Sequence, residues 1–369
     1  MGVTRIANVT GLDTVGVPVV SVIRPNSRSV SVSQGKGLDL PTAKASGLME
    51  SVETYHAETI TLPLRLASYE ELRYSFRIVE VGELPVTSTG GFHPNLRILW
   101  CEGRDLVNEE PVLVPYDLVH TDYTWPKPAG SGCFACSSNG LASGNHLLEA
   151  ISHGICEVVE RDATTLWRFR DAPARESCGV DLATVDDPAC RQVIEKFERA
   201  GLAVRVWETT TDIGIAAFAC DIRDREFDPM RPISPASGMG CHPARSVALL
   251  RALTEAAQSR LTLITGSRDD LGPERYAQPT APGREQLTCA TRRFGDAPSW
   301  DSDTFDEDVE WELDRLRDAG VSRVIVVDLT KDMFKLPVAR VIIPSLEGHH
   351  RVPGYIPGKR ALAAAGGGL

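Results

Sequence analysis

The chain has 369 residues, of which 24% are charged and 42% hydrophobic, the composition of a folded protein of one large or two ordinary domains. Acidic residues number 50 against 39 Lys and Arg, a formal net charge of -11, so indiscriminate binding to nucleic acid or to an anionic membrane surface is disfavoured as the main activity. Nine cysteines are too sparse, and odd in number, for a disulfide framework.

No stretch approaches the roughly 18 to 20 apolar residues of a membrane helix. Met1 to Asp13 lacks the basic and apolar regions of a secretory signal, so a cytoplasmic address is expected. Cys133 and Cys136 form a CxxC without a second ligand pair at zinc spacing.

In chain order, β-branched or alternating segments predict strands at Val17–Ile23 and Ser29–Ser33. A helix follows over Pro41–Ala57, with Pro41 suited to a first helical position after Asp39. Strands are expected at Thr59–Leu66, Leu96–Cys101 and Val112–Val119, then a long helix at His146–Phe169 and a shorter one at Arg191–Ala200. Strands at Ala203–Glu208 and Ile213–Ile222 precede a Pro/Gly-rich stretch, Asp228–Gly240, that reads as a loop. Helices at Ala244–Thr265 and Asp306–Ala319 and strands at Arg323–Leu329 and Ala339–Ile343 complete an α/β or α+β pattern.

Three helices carry aligned polar groups. At about 100° per residue, Glu50 lies roughly 40° and Glu53 roughly 20° from Ser46, so the three share a face of the first helix. On the second, Glu149, His153, Glu157 and Glu160 fall within roughly 80° of one another, with Arg161 at the margin. Like charges three and four residues apart weaken an isolated helix by about 0.2–0.5 kcal/mol per pair, so the stripe needs water or a counter-charge. It is either a solvated face or a ligand set for a hard cation such as magnesium, and spacing alone does not choose between them. On the third, Arg251, Glu255 and Gln258 align within roughly 60°. Neither a Walker-type glycine loop nor GxGxxG occurs.

Taken together, SVSQGKGLDLPTAKASGLMESVETYHAE, SNGLASGNHLLEAISHGICEVVERDA and the run from GMGCHP to EAAQSRLTLITGSRDD resemble the YcaO family, whose members use ATP to activate peptide backbone amides. The likeness extends from about Ser31 to Glu347 and departs from the family pattern at Thr54, Ala142 and His153. It implies a YcaO-like fold, with long helices packed on mixed sheets around a nucleotide site. Residues 1–353 then form the catalytic domain, with room for two subdomains, and 354–369 a flexible tail. ATP and Mg2+ are the implied cofactors. Glu50, Glu53, Glu149, Glu157 and Glu160 are the implied magnesium ligands, directly or through water. Arg161 would pair with phosphate, Ser46 and His153 would orient the nucleotide, Lys36 is a further phosphate candidate, and Glu255 and Gln258 are placed near the site.

The nucleophile decides the product in this family: a Cys, Ser or Thr side chain of the substrate gives an azoline, external sulfide a thioamide. The ending VPGYIPGKRALAAAGGGL lacks the PxPxP tail of many cyclodehydratases, and SGLMESVETYHAE is more similar to members that act with a TfuA-like partner in thioamidation. The expected partners are thus a precursor peptide, a TfuA-like protein with a sulfide donor, and a second copy in a homodimer. Azoline formation, a non-catalytic peptide-binding partner of the same fold and a metal-dependent hydrolase are the competing readings.

Overall fold

The computed structural model describes residues 1–369 apart from 89, 129, 227–229, 231–232, 269–271, 273–289, 353 and 367–369. The strands are β1 (Arg5–Asn8), β2 (Val19–Ile23), β3 (Val32–Lys36), β4 (Leu64–Ala67), β5 (Ile98–Asp105), β6 (Glu110–Pro115), β7 (Leu141–Ser143), β8 (Val180–Asp181), β9 (Leu202–Glu208), β10 (Ala217–Asp224), β11 (Ala236–Cys241), β12 (Arg292–Arg293), β13 (Ile325–Asp328) and β14 (Val338–Ile342). The helices are α1 (Leu40–Glu58), α2 (Tyr69–Leu72), α3 (Leu147–Phe169), α4 (Ala172–Glu176), α5 (Pro188–Arg199), α6 (Arg245–Thr265), α7 (Phe305–Asp318) and α8 (Lys359–Ala365). They fall into two compact units, Met1–Ser51 with Asp171–Asp301, and Val52–Arg170 with Ser302–Leu369. The division lies inside α1.

The first unit contains two antiparallel three-stranded sheets, β1-β2-β3 and β11-β10-β9, and a short parallel pair, β12-β8. α6 packs on β11 and β10, and α5 on α6 and β9. Their shared core includes Val193, Phe197, Val206, Phe218, Leu249 and Leu253. α5 starts where Asp187 accepts the Cys190 N–H at 2.8 Å and Pro188 presets the first helical turn.

The segment read as a loop before α6 includes strand β11, in register with β10 from Ala236–Ile222 to Cys241–Ala217; residues 227–229 and 231–232 of that segment lie outside those described. Its glycines explain the discrepancy. A Cβ on Gly238 would stand 2.2 Å from the Ala252 carbonyl oxygen, and one on Gly240 2.1 Å from that of Ala248. The strand is glycine-rich because the α6 backbone lies directly on it, not because the chain turns. Gly35 does the same for α1, where a Cβ would meet the Ala43 oxygen at 2.0 Å and the Gly47 nitrogen at 2.2 Å.

The second unit is built on a six-stranded sheet of order β4-β5-β13-β14-β7, with β6 paired to β5, and every pairing is antiparallel. Trp100, Leu113, Phe134, Ile325 and Val338 form its core. α3 packs on β14 and β7 and also contacts α7 and α8, so most of its circumference is covered.

The stretch expected to be a flexible tail contains α8. Ala361 and Ala364 pack against Leu166 of α3, and Arg360 makes a two-pronged ion pair with the fully buried Asp162. Glu347 anchors the approach to it, accepting the Tyr355 hydroxyl at 2.7 Å and the backbone N–H groups of Gly358 and Ala361 at 3.0 and 2.9 Å.

Candidate functional site

In the first unit the polar residues of β3, α1 and α6 converge. The Lys36 backbone N–H reaches the Ser46 hydroxyl oxygen at 3.4 Å, and its ammonium lies 3.2 Å from a Glu255 oxygen. Glu50 is half-buried. Burial pushes its carboxyl above the usual range, while the charges of Lys36 and Arg268 and the Gln34 backbone donor hold it down and Glu255 adds repulsion. Gln258, three residues beyond Glu255 on α6, is half-buried too. Arg268 was missed from the sequence, because it lies beyond the end of α6, outside any helical stripe.

In the second unit Glu53 leaves α1 toward β7. One of its oxygens accepts both the backbone N–H and the hydroxyl of Ser143, at 3.0 and 2.7 Å. The serine beside Ala142 is thus the one that engages a candidate carboxylate. Glu149 has a structural role as well, accepting the Asn145 backbone N–H at 2.6 Å at the start of α3, where a carboxylate suits the positive end of the helix.

Glu157 and Glu160 share a counter-ion. Arg161 lies 3.7 Å from Glu157 and 3.0 Å from Glu160, whose side chains are 18% and 6% exposed. A solvated face does not have these exposures, so that explanation of the stripe is set aside. His153, on the same stripe, is half-buried. Two largely buried carboxylates and one guanidinium thus stand together on one face of α3. A Mg2+ ion commonly takes one or two carboxylates and completes its shell with phosphate oxygens and water. The hard-oxygen donors here fit that use, and among the described residues no group of three His, Cys, Asp or Glu forms a cage by itself.

His349 was not picked out from sequence. Burial first, and then the charge of Arg161, depress its pKa to about 3, so its imidazole is neutral at physiological pH. Cys136 of the CxxC donates to the His120 carbonyl at 3.1 Å, and burial raises its thiol to about 11, the condition of an inert thiol. Among the described residues no helix is long and apolar enough to cross a membrane.

Comparison with known proteins shows the family and the fold. Residues 34–347 match the family model described as YcaO cyclodehydratase, ATP- and Mg2+-binding. A Rhizobium leguminosarum bv. trifolii protein, described as an uncharacterized protein in the tfuA 3' region, is 35% identical over 94% of this chain and 84% of its own length. A protein of Methanothermobacter thermautotrophicus is 35% identical over 94% of this chain and 90% of its own. Among solved structures, a heterocyclase in complex with substrate and cofactor superposes with TM-score 0.79 at 25% identity. That match covers all of this chain, which spans about half (53%) of the heterocyclase. The structure of YcaO from Methanopyrus kandleri bound with AMPPCP and Mg2+ gives TM-score 0.72 at 23% identity, over 97% of this chain and 91% of that one, a likeness of fold.

Proposed function

The chain belongs to the YcaO family, and from that premise we propose that it is an ATP- and Mg2+-dependent enzyme that converts a backbone amide of a ribosomally made peptide into a thioamide, acting with a TfuA-like partner. The observation that carries the enzymatic part is the withdrawn Glu157–Arg161–Glu160 group, which sets hard-oxygen donors suited to magnesium beside a guanidinium suited to phosphate. The tfuA-region relative supports the thioamide branch.

An amide oxygen is a poor leaving group. Sulfide adds to the carbonyl carbon, the amide oxygen takes the terminal phosphoryl group of ATP, and phosphate then departs, leaving thioamide, ADP and phosphate. The protein's part in such a transfer is position and charge. Glu50, Glu53, Glu149, Glu157 and Glu160 serve magnesium, directly or through water, and Arg161 and Lys36 serve phosphate. Ser46 of the first unit and His153 of the second orient the nucleotide, and Glu255 and Gln258 belong to the face of α6 in the first unit, where Glu255 pairs with Lys36. Magnesium supplies neutralisation of the phosphate oxygens when bound.

Mass spectrometry of a precursor peptide incubated with the protein, ATP, sulfide and a TfuA-like protein tests this. Replacement of one oxygen by sulfur is the expected product. Loss of one water instead indicates azoline formation, the second reading, which the heterocyclase likeness supports. An unchanged peptide with no peptide-stimulated ATP hydrolysis rejects both in favour of a binding role.

A further inference from the structure

The second unit contains a cleft of about 50 Å³, several times the space a single water requires. Its wall is largely apolar, with Leu118, Val158, Ile343 and Val352 among its residues, but it also includes Arg340 and Asn139. Arg340, on β14, is 2% exposed. Its Nε donates to the Leu118 carbonyl at 2.6 Å and its Nη2 to the Ser137 carbonyl, while Nη1 has no hydrogen-bond partner. Asn139 Oδ1 is likewise buried and unpartnered. One unmet donor and one unmet acceptor therefore belong to two residues of the same wall, and buried polar groups are rarely left in that state without a reason.

The wall adjoins the residues assigned to magnesium and phosphate. Val158 follows Glu157 on α3, Arg340 feels the charge of Glu157, and His349, also in the wall, feels that of Arg161. A phosphate offers acceptors only and could satisfy Arg340 but not Asn139 Oδ1. A peptide unit offers one carbonyl and one N–H, and its side chain can cover an apolar wall.

We propose that this cleft binds one apolar residue of the substrate peptide, with a peptide carbonyl accepting from Arg340 Nη1 and a peptide N–H donating to Asn139 Oδ1. Both atoms are shielded from water, so binding includes a small side-chain readjustment at the wall. The proposal rests on the peptide-modifying reading above and supplies it with a substrate preference: an apolar side chain beside the activated amide.

The test is titration of the full chain with N-acetyl-leucine N-methylamide, followed by saturation-transfer NMR. Saturable binding is expected, weakened about two- to tenfold in Asn139→Leu, the loss of one hydrogen bond, and at least as much in Val352→Trp, which fills the cleft. Absence of saturable binding to the wild type, undiminished binding in both variants, or displacement of the probe by adenosine overturns the proposal. Mg-ATP binding and circular dichroism on the same three proteins separate the two ideas. Nucleotide binding without probe binding removes the cleft alone, whereas probe binding without nucleotide binding removes the enzymatic reading and leaves the cleft.

Discussion

Ser143 donates twice to a single oxygen of Glu53, through its backbone N–H at 3.0 Å and its hydroxyl at 2.7 Å, which ties the C-terminal part of α1 to strand β7. Ser143→Ala removes the hydroxyl and leaves the backbone donor. The variant should lose about 0.5–1.5 kcal/mol of stability in urea denaturation, and more where a carboxylate is the acceptor. If Glu53 serves magnesium, the Mg2+ concentration for half-maximal ATP consumption should shift as well. A stability loss with no such shift makes the contact purely structural.

Glu157 is the more severe case. Glu157→Ala removes one of the two withdrawn carboxylates beside Arg161 and leaves the Arg161–Glu160 pair in place. Magnesium-dependent ATP consumption should vanish while circular dichroism stays unchanged, and normal turnover would sink the assignment.

Glu312 of α7 is fully buried, accepts the Ser152 hydroxyl at 2.8 Å and the Cys156 thiol at 3.2 Å, and has its other oxygen unpartnered. Burial, chiefly, raises its carboxyl well above the ordinary 4.5. A carboxyl whose folded pKa is raised holds its proton better in the folded state, so this site's contribution to stability falls as pH climbs from about 4.5 towards the folded value. The slope approaches about 1.4 kcal/mol per pH unit. Glu312→Gln removes that slope, so the variant should gain on the wild type as pH rises through the window. Parallel stability curves from pH 4 to 8 would refute the protonated carboxyl.

Arg360→Met leaves Asp162 buried and without its guanidinium. Breaking a buried pair from one side costs about 3–5 kcal/mol, so a large fall in the denaturation midpoint is expected, together with fast amide exchange throughout α8. Retained protection of α8 would show that Ala361 and Ala364 hold it unaided.

The five helices read from periodicity all occur, within a few residues of their expected ends, because an apolar stripe at helical spacing is a local signal. β11 was hidden because Gly238 and Gly240 read as turn residues, although they serve a helix packed against the strand. α8 was hidden because an alanine-rich ending looks like low complexity, while alanine is the best helix former once Arg360 fixes the turn. At the candidate site, spacing put the acids on common faces. It could not reveal that Glu160 is almost fully covered, that Ser143 engages Glu53, that Arg268 acts on Glu50 or that Arg161 acts on His349, since each depends on chain far away in sequence.

The strand order β4-β5-β13-β14-β7 sets a timetable for biosynthesis. Strands β5 and β7 leave the ribosome long before β13 and β14, which insert between them as the middle of the sheet. Until Val338–Ile342 emerges, the nascent chain presents open edges and α3 has no sheet to complete its seat. A premature stop after α7 therefore removes the centre of this unit rather than an end of it, and such a product should be cleared as misfolded rather than accumulate as a shortened enzyme.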